Sequence, residues 1–505
     1  MVIMMNIQKQ NLSNIAVKNS IYNLSSIIIS KIGGLLLTII LARLLLPELF
    51  GLYSLIISLV VIAITMTDFG IDIAGVRYMS KALGKEDKKM ARSFFRFLFK
   101  VKGLLIILII LVTLIIAKPI SQTFFNKPLI FLPLLFSCLY IFTESTRTLF
   151  TIPFSARKNL KIFPPLELIH QISRLTLSLI AISILSYELK ISGIFIAFAI
   201  SGFLFLFLEL FILIKKDREV VFGEIVRINT KRVLKYIGFT GLTGITLAFF
   251  GSIDILMLGR FVDAEYLGFY RAALTLVISL ASLLPFSGVL LPIFTQIHGK
   301  RLDRGFEKSF GYLIILIIPM SIGLMFISKY VIFLIYGKEY LLASSSLLVL
   351  SSLIIISPLI SLYSTIFQAK EKPKILAKFM LVSLVMNIIL NYILIKLLLN
   401  ISQEYALFGA GSATLISNIF FLVVLINKTK FQFKIKPDKR IILKSIFSTI
   451  AMAIFLFIFM KYVNINIFSG VIMIILAALI YFSVMFLIKG LIREDLNLLK
   501  IIFRK

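Results

Sequence analysis

The sequence predicts an all-α integral membrane protein of about 14 transmembrane helices: two like-oriented six-helix lobes followed by an extra C-terminal helix pair. Three observations predict it. Of 505 residues, 60% are hydrophobic and only 15% are charged, with a mean hydropathy of +1.04. Soluble globular domains have an apolar share near half and a charged share near a quarter. Lysines and arginines alternate in abundance from loop to loop, and one motif recurs 217 residues along the chain. Disorder is excluded because it needs low hydrophobicity. A β-barrel is not expected, because runs such as 103–117 are continuously apolar instead of alternating.

Apolar stretches long enough to cross hydrocarbon lie at 20–42, 50–74, 103–117, 129–152, 164–186, 191–214 and 237–259. Seven more follow at 270–294, 309–334, 341–367, 375–399, 405–427, 441–460 and 468–488. With both termini cytoplasmic, the cytoplasmic segments carry 41 basic residues and the outside turns carry 10. That bias is the positive-inside pattern, and dropping any one span scrambles it. The net charge of +31 therefore reads as cytoplasmic loops facing anionic lipid headgroups, not as nucleic-acid binding, for which no motif accompanies the charge.

The outside turns are short. The cytoplasmic segments 75–102 and 215–236 are basic and partly amphipathic, and are expected to lie at the membrane interface. A catalytic soluble domain has no room, so no enzyme activity is expected. One cysteine, Cys138, and two histidines, His170 and His298, exclude a disulfide framework and a His-rich metal site. No cofactor is expected beyond H⁺ or Na⁺ as a coupling ion. Met1–Lys18 is polar and lacks a cleavable signal pattern.

The recurring motif is Arg43-Leu-Leu-Leu-Pro-Glu48-Leu-Phe-Gly51-Leu-Tyr53 against Arg260-Phe-Val-Asp-Ala-Glu265-Tyr-Leu-Gly268-Phe-Tyr270. Weaker echoes at nearly the same offset pair Gly84-Lys85 with Gly299-Lys300, Ala156-Arg157 with Ala369-Lys370, and Gly193 with Gly409. A period this long means two homologous bundles, and six spans between copies makes them face the same way. The expected organisation is therefore an N-terminal lobe at 1–214, a basic linker at 215–236 and a C-terminal lobe at 237–427. A basic loop at 428–440 precedes the last helix pair and tail at 441–505. Each copy reads as a tight outside hairpin, with Arg43, Glu48 and Gly51, and again Arg260, Glu265 and Gly268, in structural roles. The glycine permits the turn, and the Arg–Glu pair is placed to bridge it.

Three features carry a family resemblance: Leu41-Ala-Arg-Leu-Leu-Leu-Pro-Glu-Leu-Phe-Gly-Leu-Tyr-Ser54 followed by Asp68-Phe-Gly-Ile71; its copy at Arg260–Tyr270; and Leu334-Ile-Tyr-Gly-Lys-Glu-Tyr340 with Gln368-Ala-Lys-Glu-Lys-Pro373. At the level of pattern, over roughly residues 10–430, the chain resembles the polysaccharide-biosynthesis flippases. These are the Wzx-like or RfbX-like branch of the multidrug/oligosaccharidyl-lipid/polysaccharide exporter superfamily. Leu46 departs from the pattern, since the family usually shows Gly before that Pro. The resemblance implies two six-helix lobes forming a V around a central cavity in the plasma membrane. It also implies alternating access, with a lipid-linked glycan carried from the cytoplasmic to the outer leaflet. Glycan assembly enzymes are the partners it suggests.

Charges inside spans are costly and mark functional candidates. They are Lys31, Asp68, Asp72, Glu144, Arg147, Glu167, His170, Arg174, Glu209 and Asp254, all but the last in the first half. Glu144 and Arg147 share a helical face, as do Glu167, His170 and Arg174. The antiparallel helices allow Glu144 to meet Arg174 and Arg147 to meet Glu167, as a compensated network. Asn19, Asn23, Ser26 and Ser30 form a polar stripe on the first span, followed by Gly33 and Gly34. The second half offers Asn387 and Asn391 one turn apart.

For a sugar-phosphate cargo, Arg fits phosphate by its planar fork and Lys as a point charge. Lys31, Arg174 and Arg147 are therefore the phosphate candidates, and Asn19, Asn23, Asn387 and Asn391 the sugar candidates. Asp68, Asp72, Glu144, His170 and Asp254 are candidates for binding the coupling ion. Gly238, Gly241 and Gly244 suit close packing or bending. Pro133, Pro285, Pro292, Pro319 and Pro358 favour kinks, with Pro285 the preferred hinge. The alternative reading is a cation-coupled drug antiporter of the same superfamily.

Overall fold

A computed structural model describes residues 2–282, 286–433, 439–463 and 465–490. The chain is helical, with no strand among the described residues. Among the described residues, twelve stretches are long and apolar enough to cross a membrane. The first, Ile21–Leu83, is 63 residues long and holds both of the first two expected spans. The expected span 270–294 falls on two shorter helices whose junction, including the hinge candidate Pro285, lies outside the described residues. So do part of the basic loop 428–440 and the tail from 491.

Two compact units divide the chain, Met1–Arg260 and Phe261–Lys505. The first holds α1 (Val2–Asp68), α2 (Ile71–Leu83), α3 (Lys88–Pro119), α4 (Phe131–Ala156), α5 (Phe163–Ile184), α6 (Lys190–Val221) and α7 (Thr230–Phe261). Helix α1 breaks at Leu46, where φ is 60° and ψ is 170°, just before Pro47. Proline has no N–H to continue the ladder, so the break separates the first two spans.

The segment after Asp68 turns into the amphipathic α2. It buries Ile71, Ala74, Met79 and Ala82 in a core shared with Leu98 of α3, Ile152 of α4, Leu213 of α6 and Ile237 of α7. Gly75 is required there because a Cβ would sit 2.8 Å from Ile152. Other faces stay bare: Ile107, Leu111 and Ile115 of α3 are exposed in one row, as a lipid-facing surface requires. The basic 215–236 segment is tied down by Arg92, which donates to the carbonyl oxygens of Glu219 and Glu224.

The second unit holds α8 (Ala264–Ser282), α9 (Phe286–Gln296), α10 (Lys300–Tyr336), α11 (Ala343–Leu350), α12 (Leu353–Ala369), α13 (Pro373–Leu399), α14 (Gln403–Phe433), α15 (Arg440–Tyr462) and α16 (Ile467–Leu487). Its core joins Phe294, Phe306, Phe310, Tyr363, Ile366 and Leu425. Helices α10 and α12 run on through Pro319 and Pro358. The appended pair packs on α10, where Tyr481 Oη donates to the Ile315 carbonyl at 2.8 Å and shares a hydrogen bond with Ser445.

The repeat is visible in backbone detail. After α4, the N–H groups of Arg157, Lys158 and Asn159 donate to the carbonyls of Pro153, Ser155 and Phe154. After α12, those of Lys370, Glu371 and Lys372 donate to Ile366, Gln368 and Phe367 in the same order. Lys158 (φ 57°) and Glu371 (φ 54°) take the same left-handed turn. Both halves end this helix with the same six-to-one capping geometry.

Candidate functional site

The Asp68-Phe-Gly-Ile-Asp72 stretch builds the first polar centre. The Asp68 carboxylate accepts from the backbone N–H groups of Gly70 and Asp72, both at 3.2 Å, and so starts α2. Gly70 has φ 80°, and a Cβ there would lie 2.2 Å from Thr240 of α7. Gly241 matches it from the other side, since its own Cβ would lie 2.4 Å from the Phe69 carbonyl oxygen. Of the three glycines opening the seventh span, only Gly241 makes such an approach.

Lys102 of α3 closes this centre. Its Nζ lies 2.7 Å from Asp72 Oδ1, 3.0 Å from Asp68 Oδ1 and 2.7 Å from Thr148 Oγ1, with the side chain 0% exposed. All three ammonium donors are used. Lys102 ends the basic segment 75–102 expected at the membrane interface, and its side chain is instead buried. Its signal was its spacing: it falls in register with the buried Phe95, Leu98, Ile106 and Ile109 of α3.

A second centre runs along one face of α6, through Phe198, Ser201, Phe205 and Glu209. Gly202 lets α6 approach α4, because a Cβ there would sit 2.5 Å from Thr143 Oγ1. Arg174 of α5 lies over the Phe198 ring at 4.2 Å. His170 of α5 is buried edge-on to Phe205, with ring centroids 5.3 Å apart. Arg147 of α4 lies over Phe205 at 4.9 Å. It pairs with Glu144 on its own helix, Nε to Oε2 at 2.9 Å and Nη2 to Oε1. Glu167 accepts instead from Gln171 Nε2 at 2.7 Å. The expected cross-helix pairs, Glu144 with Arg174 and Arg147 with Glu167, are therefore replaced. An i,i+3 partner on the same helix needs no help from helix rotation. Neither nitrogen of His170 and neither carboxylate oxygen of Glu209 has a hydrogen-bond partner among the described residues.

On α1, Lys31 and Asn23 are exposed and Asn19 is partly buried. Asn19 accepts from the Leu160 N–H at 3.4 Å, which ties the start of the polar stripe to the α4–α5 connection. Gly33 packs on Gln171 of α5, while Gly34 meets nothing within 4 Å. At the ends of α2, α4 and α6 that the charge rule puts in the cytoplasm, a cavity of about 1020 Å³ is lined by six cations against Glu86 and Glu219. A hydrogen bond from Lys88 at 2.5 Å holds the Glu219 carboxyl below its usual range, and Lys89 does the same to Glu224.

The sequence matches the polysaccharide biosynthesis protein family over residues 16–298, more than half of the chain. The chain belongs to that family. A curated relative, the probable low-salt glycan biosynthesis flippase Agl15 of Haloferax volcanii, is 23% identical over 196 residues, 37% of this chain. The match spans 40% of that relative's length. Among solved structures, the lipid II flippase MurJ in an inward closed conformation superposes with a TM-score of 0.73 at 18% identity, over 92% of this chain and 97% of that one. An inward-facing multidrug resistance MATE transporter of the MOP superfamily gives 0.62 at 12% identity, over 80% of this chain and 95% of that one. These likenesses establish the fold, that of a multi-pass helical membrane protein.

Within this polysaccharide biosynthesis family member, two of the hairpin residues reach other segments. Glu48 accepts from Tyr187 Oη at 2.8 Å. Arg260 donates to the carbonyls of Thr123 and Phe124, at 3.3 and 2.5 Å. Gly51 and Gly268 are buried, and Glu265 opens α8. Leu46 occupies the position where the family usually carries glycine, with a backbone conformation that only glycine adopts without strain, at a cost of about 1–3 kcal/mol. Its side chain is 53% exposed, so little packing is lost with it. Leu46→Gly is therefore expected to raise the melting temperature of the detergent-solubilised protein, because the extra chain entropy of glycine offsets only about 0.4–1 kcal/mol. A lowered melting temperature would refute the strain.

Asn387 and Asn391 are fully buried in α13. Asn387 donates to Thr414 Oγ1 of α14 at 3.0 Å, and Asn391 to the Asn387 carbonyl at 3.1 Å. Asp254 of α7 is buried as well.

Proposed function

We infer that this protein is a flippase that moves a polyprenyl-(pyro)phosphate-linked oligosaccharide from the cytoplasmic to the outer leaflet of the plasma membrane by alternating access. It serves the biosynthesis of cell-surface polysaccharide or glycan, with both termini in the cytoplasm and no covalent chemistry of its own. The observation that carries the reading is family membership joined to guanidinium groups held at mid-span on aromatic faces, Arg174 on Phe198 and Arg147 on Phe205. The curated relative's name, a probable glycan biosynthesis flippase, supports the same class of cargo.

A polyprenyl chain is soluble in lipid, whereas its phosphate and glycan cost several kcal/mol or more to bring into hydrocarbon without partners. Fixed cations and amides replace water for them. Arg174 and Lys31, with Arg147, serve the phosphate. Asn19 and Asn23 serve the sugar. Asn387 and Asn391 join them only in a conformer that parts α13 from α14. Asp68, Asp72, Glu144, His170 and Asp254 are the groups proposed for H⁺ or Na⁺ coupling.

The test is a deletion strain assayed for lipid-linked sugar by leaflet. Precursor accumulating in the inner leaflet is the expected result. Normal surface glycan with new sensitivity to cationic dyes would favour a drug antiporter instead.

A further inference from the structure

The functional reading leaves the driving force open, and one buried group speaks to it. Glu209 lies on the α6 face that carries Phe198 and Phe205, with its side chain 0% exposed. Neither of its carboxylate oxygens accepts or donates a hydrogen bond among the described residues. An ionised carboxylate in such a place is far costlier than a neutral acid.

The charged groups that act on it, directly or through Arg147, come from α2, α4 and α5. Arg147 and Glu144 of α4 and Asp72 of α2 act on it through their fields. Asp72 shares Lys102 of α3 with Asp68, and Arg147 pairs with Glu144. From α5, Glu167 acts on Arg147, while His170 and Arg174 interact with the same Glu144–Arg147 pair. The nearby cation is thus already engaged by a different carboxylate, and Glu209 makes no ion pair among the described residues.

We propose that Glu209 is a proton-binding site that couples a proton gradient to reorientation of this transporter. With Glu209 neutral, Arg147 belongs to Glu144. When the O–H bond breaks and the proton leaves to water, the new carboxylate competes with Glu144 for Arg147. The pair then has two arrangements, selected by protonation. A proton suits the site better than a metal ion. No cluster of three His, Cys, Asp or Glu able to hold a metal exists among the described residues, and a hard cation needs several converging oxygens. The coupling half of the proposal rests on the flippase reading; the proton-binding half does not.

Two measurements separate them. Infrared difference spectra of the wild-type protein and Glu209→Gln, reconstituted in lipid at neutral pH, should show a carboxylic-acid C=O band in the wild type that the variant lacks. The band should disappear on alkalinisation. Glu209→Gln is isosteric with the neutral acid and is expected to fold; Glu209→Leu provides a second comparison if it does not. No band difference against either variant overturns the site, whatever happens to transport.

In proteoliposomes carrying a lipid-linked sugar, an imposed pH gradient should speed flipping by the wild type, and Glu209→Gln should lose that response. A variant that still responds overturns the coupling. A wild type that flips nothing under any condition sinks the flippase reading and leaves the infrared result to judge Glu209.

Discussion

Lys31→Ala and Arg174→Ala are each expected to cut export of the lipid-linked glycan more than about tenfold, with the protein still present in the membrane. A hydrogen bond to a charged group contributes about 1.5–3 kcal/mol, and each 1.4 kcal/mol is roughly tenfold. The two side chains meet the requirement in different ways. Lys31 is exposed on the first span next to the polar stripe. Arg174 lies on Phe198 at 4.2 Å, and an aromatic face orients a guanidinium without neutralising it. Arg174 makes no salt bridge among the described residues, whereas Arg147 is met by Glu144. Arg174→Lys keeps the charge and loses the fork, so it should export at an intermediate level. Surface glycan and membrane-fraction protein level, measured together, decide it. Normal export by both alanine variants would remove these residues from the phosphate path.

Lys102→Met is expected to destabilise the first unit by about 3–5 kcal/mol, the usual cost of stripping one partner from a buried ion pair. The side chain is 0% exposed and holds Asp68, Asp72 and Thr148 at once. Its removal leaves two carboxylates facing each other at the start of α2 with no cation. Little folded protein should survive size-exclusion in detergent. The triple variant with Asp68→Asn and Asp72→Asn should recover much of the loss, since it leaves no uncompensated charge. A Lys102→Met protein as stable as the wild type would show that the three groups do not hold one another.

The fold was legible because its signals are distributed. Hydropathy and loop charge each average over many residues, and the Arg43–Tyr53 repeat anticipates the matching helix ends after Ala156 and Ala369. The polar centres were legible only as inventories. Helix 1 through helix 6 were seen to hold most of the intramembrane charge, and Glu144 with Arg147 was seen to share a face. Lys102 was missed because it sits among eight other basic residues in 75–102, where the positive-inside rule already explains a lysine. Leu46 was noticed as a departure from the family pattern, but its left-handed backbone is visible only in the turn itself.

By itself, the sequence determined that this chain is a multi-pass helical membrane protein, that a motif recurs in its two halves, and where its charges lie along the chain. Those properties follow from transfer between water and lipid, which acts on each segment almost independently of its neighbours. Tertiary structure alone decided the pairings: Lys102 with the Asp68–Asp72 turn, Arg147 with Glu144 in place of Glu167, and Glu209 with no hydrogen-bond partner among the described residues. A buried charge takes the partner that helix rotation, glycine contacts and kinks bring within 3 Å or so, and none of these is encoded in the average polarity of a segment.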